Sequence, residues 1–130
     1  RQEDNVVFMS KSEEGFLRLL ESCSYVIQGG GHTLMGEALH LGKPILTLPL
    51  KAMVEQRFNA LYIERLNYGM QADMHTLEPE LLQRFEANLP AYKAAIAAGC
   101  FCGNETVFGL VDHFIRNGSL PVHGNPAVQE

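Results

Sequence analysis

Three consecutive glycines lie between an apolar run and an apolar helix-like segment. Gly29, Gly30 and Gly31 come directly before His32 and Thr33. Glycine allows the backbone to adopt positive φ and to come close to a ligand. A helix that starts at such a turn presents unpaired N–H groups and the positive end of its dipole to an anion. The pattern is compatible with a diphosphate site, and equally with a tight turn that binds nothing.

Two further groups of polar side chains could contact the hydroxyls of a sugar. Glu37 lies in an almost entirely apolar helical segment, where a carboxylate needs a polar partner such as the cis-diol of a ribose. Glu55 and Gln56 follow the next apolar run, and together they offer acceptors and donors to a hexose. The plainer interpretations are a surface carboxylate for Glu37 and a helix start for Glu55 and Gln56, because acidic residues favour a first turn.

Other chemistry is poorly supported by the sequence. Cys100, Cys102 and His113 lack the second ligand pair that a zinc site needs, so we expect no metal. A Ser/His/Asp nucleophile has no supporting motif. The three cysteines, an odd number, indicate a reducing compartment, and we expect a cytoplasmic protein.

The elements that must position these residues alternate between strand and helix. Strands are predicted at 6–9, 24–28, 45–50 and 68–72. Helices are predicted at 12–23, 33–41 and 55–66, from Thr76 onward with Pro79 in the first turn, at 92–98 and at 105–116. This alternation is typical of an α/β fold, with a Rossmann-like parallel sheet and flanking helices.

Composition restricts the partners and the domain organisation. The chain of 130 residues has a formal net charge of −5, which argues against nucleic acid as a partner, and it has no apolar run long enough to span a membrane. We predict one nucleotide-binding domain over residues 1–117 and a flexible tail over 118–130. Three or four strands are few for a doubly wound sheet, so we expect a partial domain from a longer protein.

In combination, these residues resemble the donor-binding signature of nucleotide-sugar glycosyltransferases with two Rossmann-like domains, the GT-B architecture. The matching positions are Gly30-Gly31, Glu37-Ala38, Gly42-Lys43-Pro44, Pro49, Glu55-Gln56 and Asn59-Ala60. The likeness is strongest to the carboxyl-terminal domain of glycosyltransferase family 28 and of the UDP-glycosyltransferases. It covers residues 6–70, about half of the chain.

The resemblance implies a UDP-sugar donor, no cofactor and no metal. Diphosphate binding would fall to Gly30, Gly31, His32 and Thr33. Ribose binding would fall to Glu37, and sugar binding to Glu55 and Gln56. The loop of Phe8, Met9 and Ser10 would lie near the uracil.

The expected reaction is transfer of a hexose or N-acetylhexosamine to an acceptor hydroxyl. Many family members have a histidine where this chain has Gly29, and His32 lies three residues later. The loop between Pro49 and Gln56 is closer in length to that of bacterial transferases with lipid-linked acceptors. Such an acceptor would place the protein at the inner face of the membrane.

The catalytic base is not evident in the sequence. The resemblance implies that it comes from an amino-terminal domain or a partner chain, so we expect this piece alone to be inactive. Three alternatives stay open: a nucleotide-sugar epimerase of the same fold, a non-catalytic subunit of a split transferase, and a scaffold domain with an empty site.

Overall fold

The structure, a computed structural model, describes residues 2–10 and 12–119. Its strands are β1 (Gln2–Glu3), β2 (Val6–Val7), β3 (Val26–Gln28), β4 (Ile45–Thr47) and β5 (Gly69–Gln71). Its helices are α1 (Glu13–Ser22), α2 (His32–His40), α3 (Val54–Arg65), α4 (Pro79–Ala87), α5 (Leu89–Ala97) and α6 (Asn104–Asn117). A short 3-10 helix spans Met74–Thr76. The predicted α/β class, with a parallel sheet and flanking helices, is confirmed.

The strands β3, β4 and β5 form a parallel sheet in that order. Ile27 is paired with Leu46, and Leu46 with Met70. Helix α2 connects the first pair of strands and helix α3 the second. Because parallel strands all end at one edge of the sheet, this connectivity places the starts of α2 and α3 next to each other.

Apolar packing covers both faces of the central strand β4. Ile45 and Leu46 are adjacent in β4, so their side chains point to opposite faces and join different clusters. The first cluster is made of Leu20, Met35, Ala38, Leu39, Ile45, Ile63 and Ile96. The second is made of Leu46, Met70, Phe85 and Tyr92. The central strand β4 is therefore buried on both sides, which fixes the position of the loop that follows it.

Two sequence predictions need correction. The strand predicted at 6–9 is shortened to β2, which pairs antiparallel with β1 around Asp4 (φ 51°) and does not join the parallel sheet. The helix predicted from Thr76 begins instead at Pro79. The preceding residues form the 3-10 helix because the Asp73 carboxylate accepts a hydrogen bond from the His75 N–H at 2.9 Å.

The remaining boundaries follow local capping. Ser12 caps α1 as predicted, since its hydroxyl accepts a hydrogen bond from the Gly15 N–H at 3.2 Å. Gly118, with a φ of 68°, ends α6. The predicted tail at 118–130 lies mostly outside the described residues. Within them, no helix has the length and apolar character that crossing a membrane requires.

Candidate functional site

The three glycines connect the end of β3 to the start of α2. Gly30 is buried and has a φ of 93°, a conformation that favours glycine. Gly31 is the N-cap of α2 and offers no side chain to cap the helix. The first hydrogen bond of the helix runs from the Met35 N–H to the Gly31 carbonyl. The N–H groups of residues 32–34 are therefore open to an external acceptor.

The last residue of β3 stabilises this turn. The side-chain oxygen of Gln28 accepts hydrogen bonds from the N–H groups of Gly30 and Gly31, each at 2.9 Å. Sequence reasoning missed this residue. The available signal was a carboxamide at the end of an apolar strand, two and three residues before glycine donors.

The start of α3 packs against the same turn. A β-carbon added to Gly30 would lie 2.8 Å from the Gln56 carbonyl oxygen, so only glycine permits this approach. The side-chain amide of Asn59 donates a hydrogen bond to the Gly30 carbonyl at 3.0 Å. The fold thus brings together the segment predicted to hold a diphosphate and the one predicted to hold a sugar.

The Glu55–Gln56 pair lies in the first turn of α3. The Gln56 side-chain oxygen accepts a hydrogen bond from the Leu50 N–H at 3.1 Å, which ties the loop after β4 to the helix. Its side-chain nitrogen has no hydrogen-bond partner among the described residues. Glu55 is exposed. Gln56 therefore has a structural bond on one side and a free donor on the other.

Glu37 lies one turn further along α2 than Thr33. It is half-buried, whereas His32 and Thr33 are exposed. Its neighbours Met35 and Ala38 pack in the core. In the described part of the chain its carboxylate has no hydrogen-bond or ion-pair partner, so it can accept hydrogen bonds from a ligand.

The loop predicted to lie near a base contributes to a cavity. Phe8, Met9 and Ser10 are exposed, and they connect β2 to α1. The cavity has a volume of about 470 Å³ and a mostly apolar lining. It is lined by Met9, Ser10, Ser12, Glu13, Gly15, Phe16 and Leu19.

A second cavity, of about 550 Å³, lies beyond the ends of β4 and β5. It is lined by Pro49, Lys51, Arg57, Gln71, Ala72 and Asp73. The Lys51 amine lies 3.1 Å from the Asp73 carboxylate. The His75 N–H and then the Lys51 ammonium group lower the pKa of Asp73 below its ordinary value. Across the described residues, no cluster of three or more His, Cys, Asp or Glu side chains could hold a metal ion.

Comparisons with known proteins identify a glycosyltransferase family. The profile of the family described as Glycosyl transferase family 1 matches residues 1–90. An uncharacterized glycosyltransferase of Methanosarcina mazei is 41% identical over 63 residues, and one of Methanosarcina acetivorans is 38% identical over 63 residues. Each match covers 48% of this chain and 16% of the relative, so the chain spans only a small part of these relatives.

Two solved structures share the fold, and both are GT-B glycosyltransferases. The glycotransferase of kitacinnamycin superposes with a TM-score of 0.57 and 25% identity, over 62% of this chain and 21% of the other. A spinosyn forosaminyltransferase superposes with a TM-score of 0.61 and 28% identity, over 75% of this chain and 26% of the other. The parallel sheet and its flanking helices match the GT-B architecture that the sequence predicted.

Proposed function

Because the chain belongs to the family described as Glycosyl transferase family 1, we propose that it binds the donor of a glycosyltransferase. The donor is a UDP-linked hexose or N-acetylhexosamine, which is transferred to an acceptor hydroxyl. We assign the chain to the carboxyl-terminal half of a GT-B enzyme of the family 28 and UDP-glycosyltransferase type. The acceptor-binding half lies in another part of the protein or in a partner chain.

One observation carries the proposal: α2 begins without a side-chain cap, beside a turn whose middle glycine, Gly30, is buried, and the Glu37 carboxylate one turn later has no partner among the described residues. The open N–H groups of residues 32–34 and the helix dipole suit a diphosphate at the start of α2, where Gly31, His32 and Thr33 lie. Glu37 suits the ribose hydroxyls that a nucleoside diphosphate places next to it. We therefore propose that these N–H groups bind the diphosphate of the sugar donor without a metal ion.

The same geometry would stabilise the transition state of glycosyl transfer. Negative charge grows on the leaving diphosphate as the bond to the sugar breaks. N–H groups that already point at this anion stabilise it without having to reorganise. Glu55 and the free Gln56 side-chain nitrogen would bind sugar hydroxyls and orient the donor.

We propose that the cavity beside Met9 and Ser10 binds the uracil of the donor. Its mostly apolar lining and its volume of about 470 Å³ suit a planar uracil ring. We place Phe8 at the rim of this site.

A general base is still needed to deprotonate the acceptor, and we assign it to the acceptor-binding half.

Calorimetry of the intact protein with UDP tests the proposal. We expect binding without added divalent cations, and a crystal soaked with UDP should show the diphosphate at the start of α2. Binding with the diphosphate elsewhere, or no binding at millimolar UDP, would contradict the proposal. With UDP-N-acetylglucosamine and the intact protein, NMR should show released UDP, whereas an epimerised nucleotide sugar would identify an epimerase.

The proposed function also implies a cell compartment for the protein. We place the protein in the cytoplasm, where nucleotide sugars are available and cysteines stay reduced. A lipid-linked acceptor would bring it to the inner face of the membrane. Fractionation of cells that express the intact protein tests both statements.

A further inference from the structure

The Gln28 side chain forms hydrogen bonds with the backbone of the glycine turn. Its side-chain oxygen accepts two hydrogen bonds of 2.9 Å, from the N–H groups of Gly30 and Gly31. On the other side of the turn, Asn59 donates to the Gly30 carbonyl at 3.0 Å. One carboxamide therefore engages two consecutive N–H groups that a glycine turn would otherwise present to a ligand.

The orientation of this carboxamide is fixed by chemistry. Rotating it by half a turn would place its NH₂ group against two N–H donors, which is repulsive. In the observed orientation the Gln28 side-chain nitrogen is buried and has no hydrogen-bond partner among residues 2–10 and 12–119. An unsatisfied buried donor is costly, so the two bonds to the turn are kept at the expense of this nitrogen.

We infer that Gln28 is a positioning residue of the donor site. Its bonds keep the Gly30 and Gly31 N–H groups turned inward, so that a diphosphate meets the N–H groups of residues 32–34. This inference rests on the proposed function and refines it. Gly30 and Gly31 supply the close approach of the backbone, whereas His32, Thr33 and Leu34 supply the donors.

The need for such a residue follows from the turn itself. Three consecutive glycines lose more conformational freedom on ordering than other residues do. A turn that was mobile before binding would become ordered only when the ligand bound, which weakens affinity. Gln28 orders the turn beforehand, because it connects the turn to the end of β3.

Three variants of the intact protein test the inference. Gln28→Met keeps the length of the side chain and removes the acceptor. Gln28→Glu keeps an acceptor for the two N–H groups. Tyr25→Phe is the control: the Tyr25 hydroxyl donates a hydrogen bond of 2.8 Å to the Glu86 carboxylate, away from the glycine turn.

We expect Gln28→Met to weaken UDP binding about ten-fold while leaving the binding of uridine, which has no phosphate, within two-fold. This loss corresponds to about 1.4 kcal/mol, within the range of two lost hydrogen bonds. Amide exchange at Gly30 and Gly31, followed by NMR, should accelerate in Gln28→Met and return to the wild-type rate in Gln28→Glu. Tyr25→Phe should lower the melting temperature and leave UDP affinity within two-fold.

Three results would overturn the inference. The first is UDP affinity in Gln28→Met equal to wild type, which would leave the proposed function intact. The second is a UDP titration of the wild type in which Gly30 and Gly31, rather than His32 and Thr33, gain protection from exchange. The third is a wild type that binds no UDP, because the proposed function and the inference would then fail together.

Discussion

The side-chain amide of Asn59 donates a hydrogen bond to the carbonyl oxygen of Gly30, at 3.0 Å and across 29 residues of sequence. This bond joins α3 to the glycine turn that precedes α2. It is made by the helix face that also brings Gln56 against Gly30. The two helix starts therefore form one unit, and we expect a change in α3 to alter ligand binding at the proposed diphosphate site.

Replacing Asn59 tests this connection. Asn59→Ala removes the donor, and we expect the free energy of unfolding to fall by about 1 kcal/mol, as is typical of one hydrogen bond. Asn59→Asp should cost more, because a carboxylate would face the Gly30 carbonyl. Urea denaturation gives the stabilities, and calorimetry with UDP should show weaker binding in both variants. Equal stability of Asn59→Ala and wild type would show that the bond contributes nothing.

The glycines of the turn should respond differently to a methyl group. In Gly30→Ala the β-carbon would lie 2.8 Å from the Gln56 carbonyl, at a φ of 93°, so we expect a loss of about 2 kcal/mol or more. Gly31 has a φ of −69°, and the nearest atom to its added β-carbon is 4.0 Å away. Gly31→Ala should therefore fold normally, while a methyl group near the diphosphate weakens UDP binding. Equal stabilities of the two variants would contradict the described turn.

The proposed contact between Glu37 and the ribose can be tested with a modified ligand. Glu37→Ala should weaken UDP binding by about 1.5–3 kcal/mol, the range for a hydrogen bond to a charged group. Wild type should prefer UDP over 2′-deoxy-UDP, and Glu37→Ala should bind the two with equal affinity. Calorimetry with both ligands completes the comparison. If the variant keeps the preference of the wild type, Glu37 does not bind the ribose.

Gln56 makes one structural hydrogen bond and has a proposed contact with the donor sugar, and substitution can separate the two. The Gln56 side-chain oxygen accepts a hydrogen bond from the Leu50 N–H at 3.1 Å. Gln56→Glu keeps an oxygen for this bond and removes the free nitrogen. We expect it to retain stability and affinity for free UDP, and to raise the KM for the donor sugar. Gln56→Ala should also destabilise the loop after β4, by about 1 kcal/mol. Initial rates of the intact enzyme and thermal unfolding provide the two measurements.

Glu55→Ala tests the second residue of the proposed sugar site. Glu55 is exposed and its side chain has no described partner, so its loss should leave stability within about 0.5 kcal/mol. A raised KM for the donor without a change in UDP affinity would support contact with the sugar. An unchanged KM would mean that Glu55 serves only as an acidic residue in the first turn of α3.

Two glycines outside the site give opposite predictions for stability. A β-carbon at Gly69 would overlap the Ile45 carbonyl of the neighbouring strand, so Gly69→Ala should separate β5 from β4 and destabilise strongly. Gly36 lies within α2 with no atom in the way of a β-carbon, and Gly36→Ala should stabilise by about 0.5–1 kcal/mol. Thermal unfolding distinguishes the two. Destabilisation by both would contradict the open environment of Gly36.

Much of the fold could be read from the pattern of residues. An apolar run before Gly29 and another after Pro44 predict two parallel strands with a helix between them, and the structure confirms this unit. The Ser12 cap of α1 was also predicted correctly. Such features depend on side chains within a few positions of one another, so local sequence is sufficient to specify them.

Pairing partners and side-chain contacts across the chain were not predictable in this way. The strand at 6–9 has the composition of a sheet strand, yet β2 pairs with β1 because a strand accepts whichever neighbour the chain brings to it. The helix expected from Thr76 starts at Pro79, because Asp73 forms a competing turn first. Neither outcome is determined by hydrophobic periodicity.

For the candidate site, the sequence by itself determined which chemical groups are available: the glycine turn, the start of α2, Glu37 and the Glu55–Gln56 pair. The structure decided which of them are already engaged. Gln28 occupies two N–H groups of the turn through bonds to residues two and three positions away. Asn59 donates to the Gly30 carbonyl, because parallel strands bring the starts of α2 and α3 together at one edge of the sheet. Hydrogen bonds between residues as far apart as Gly30 and Asn59 form only after the chain has folded.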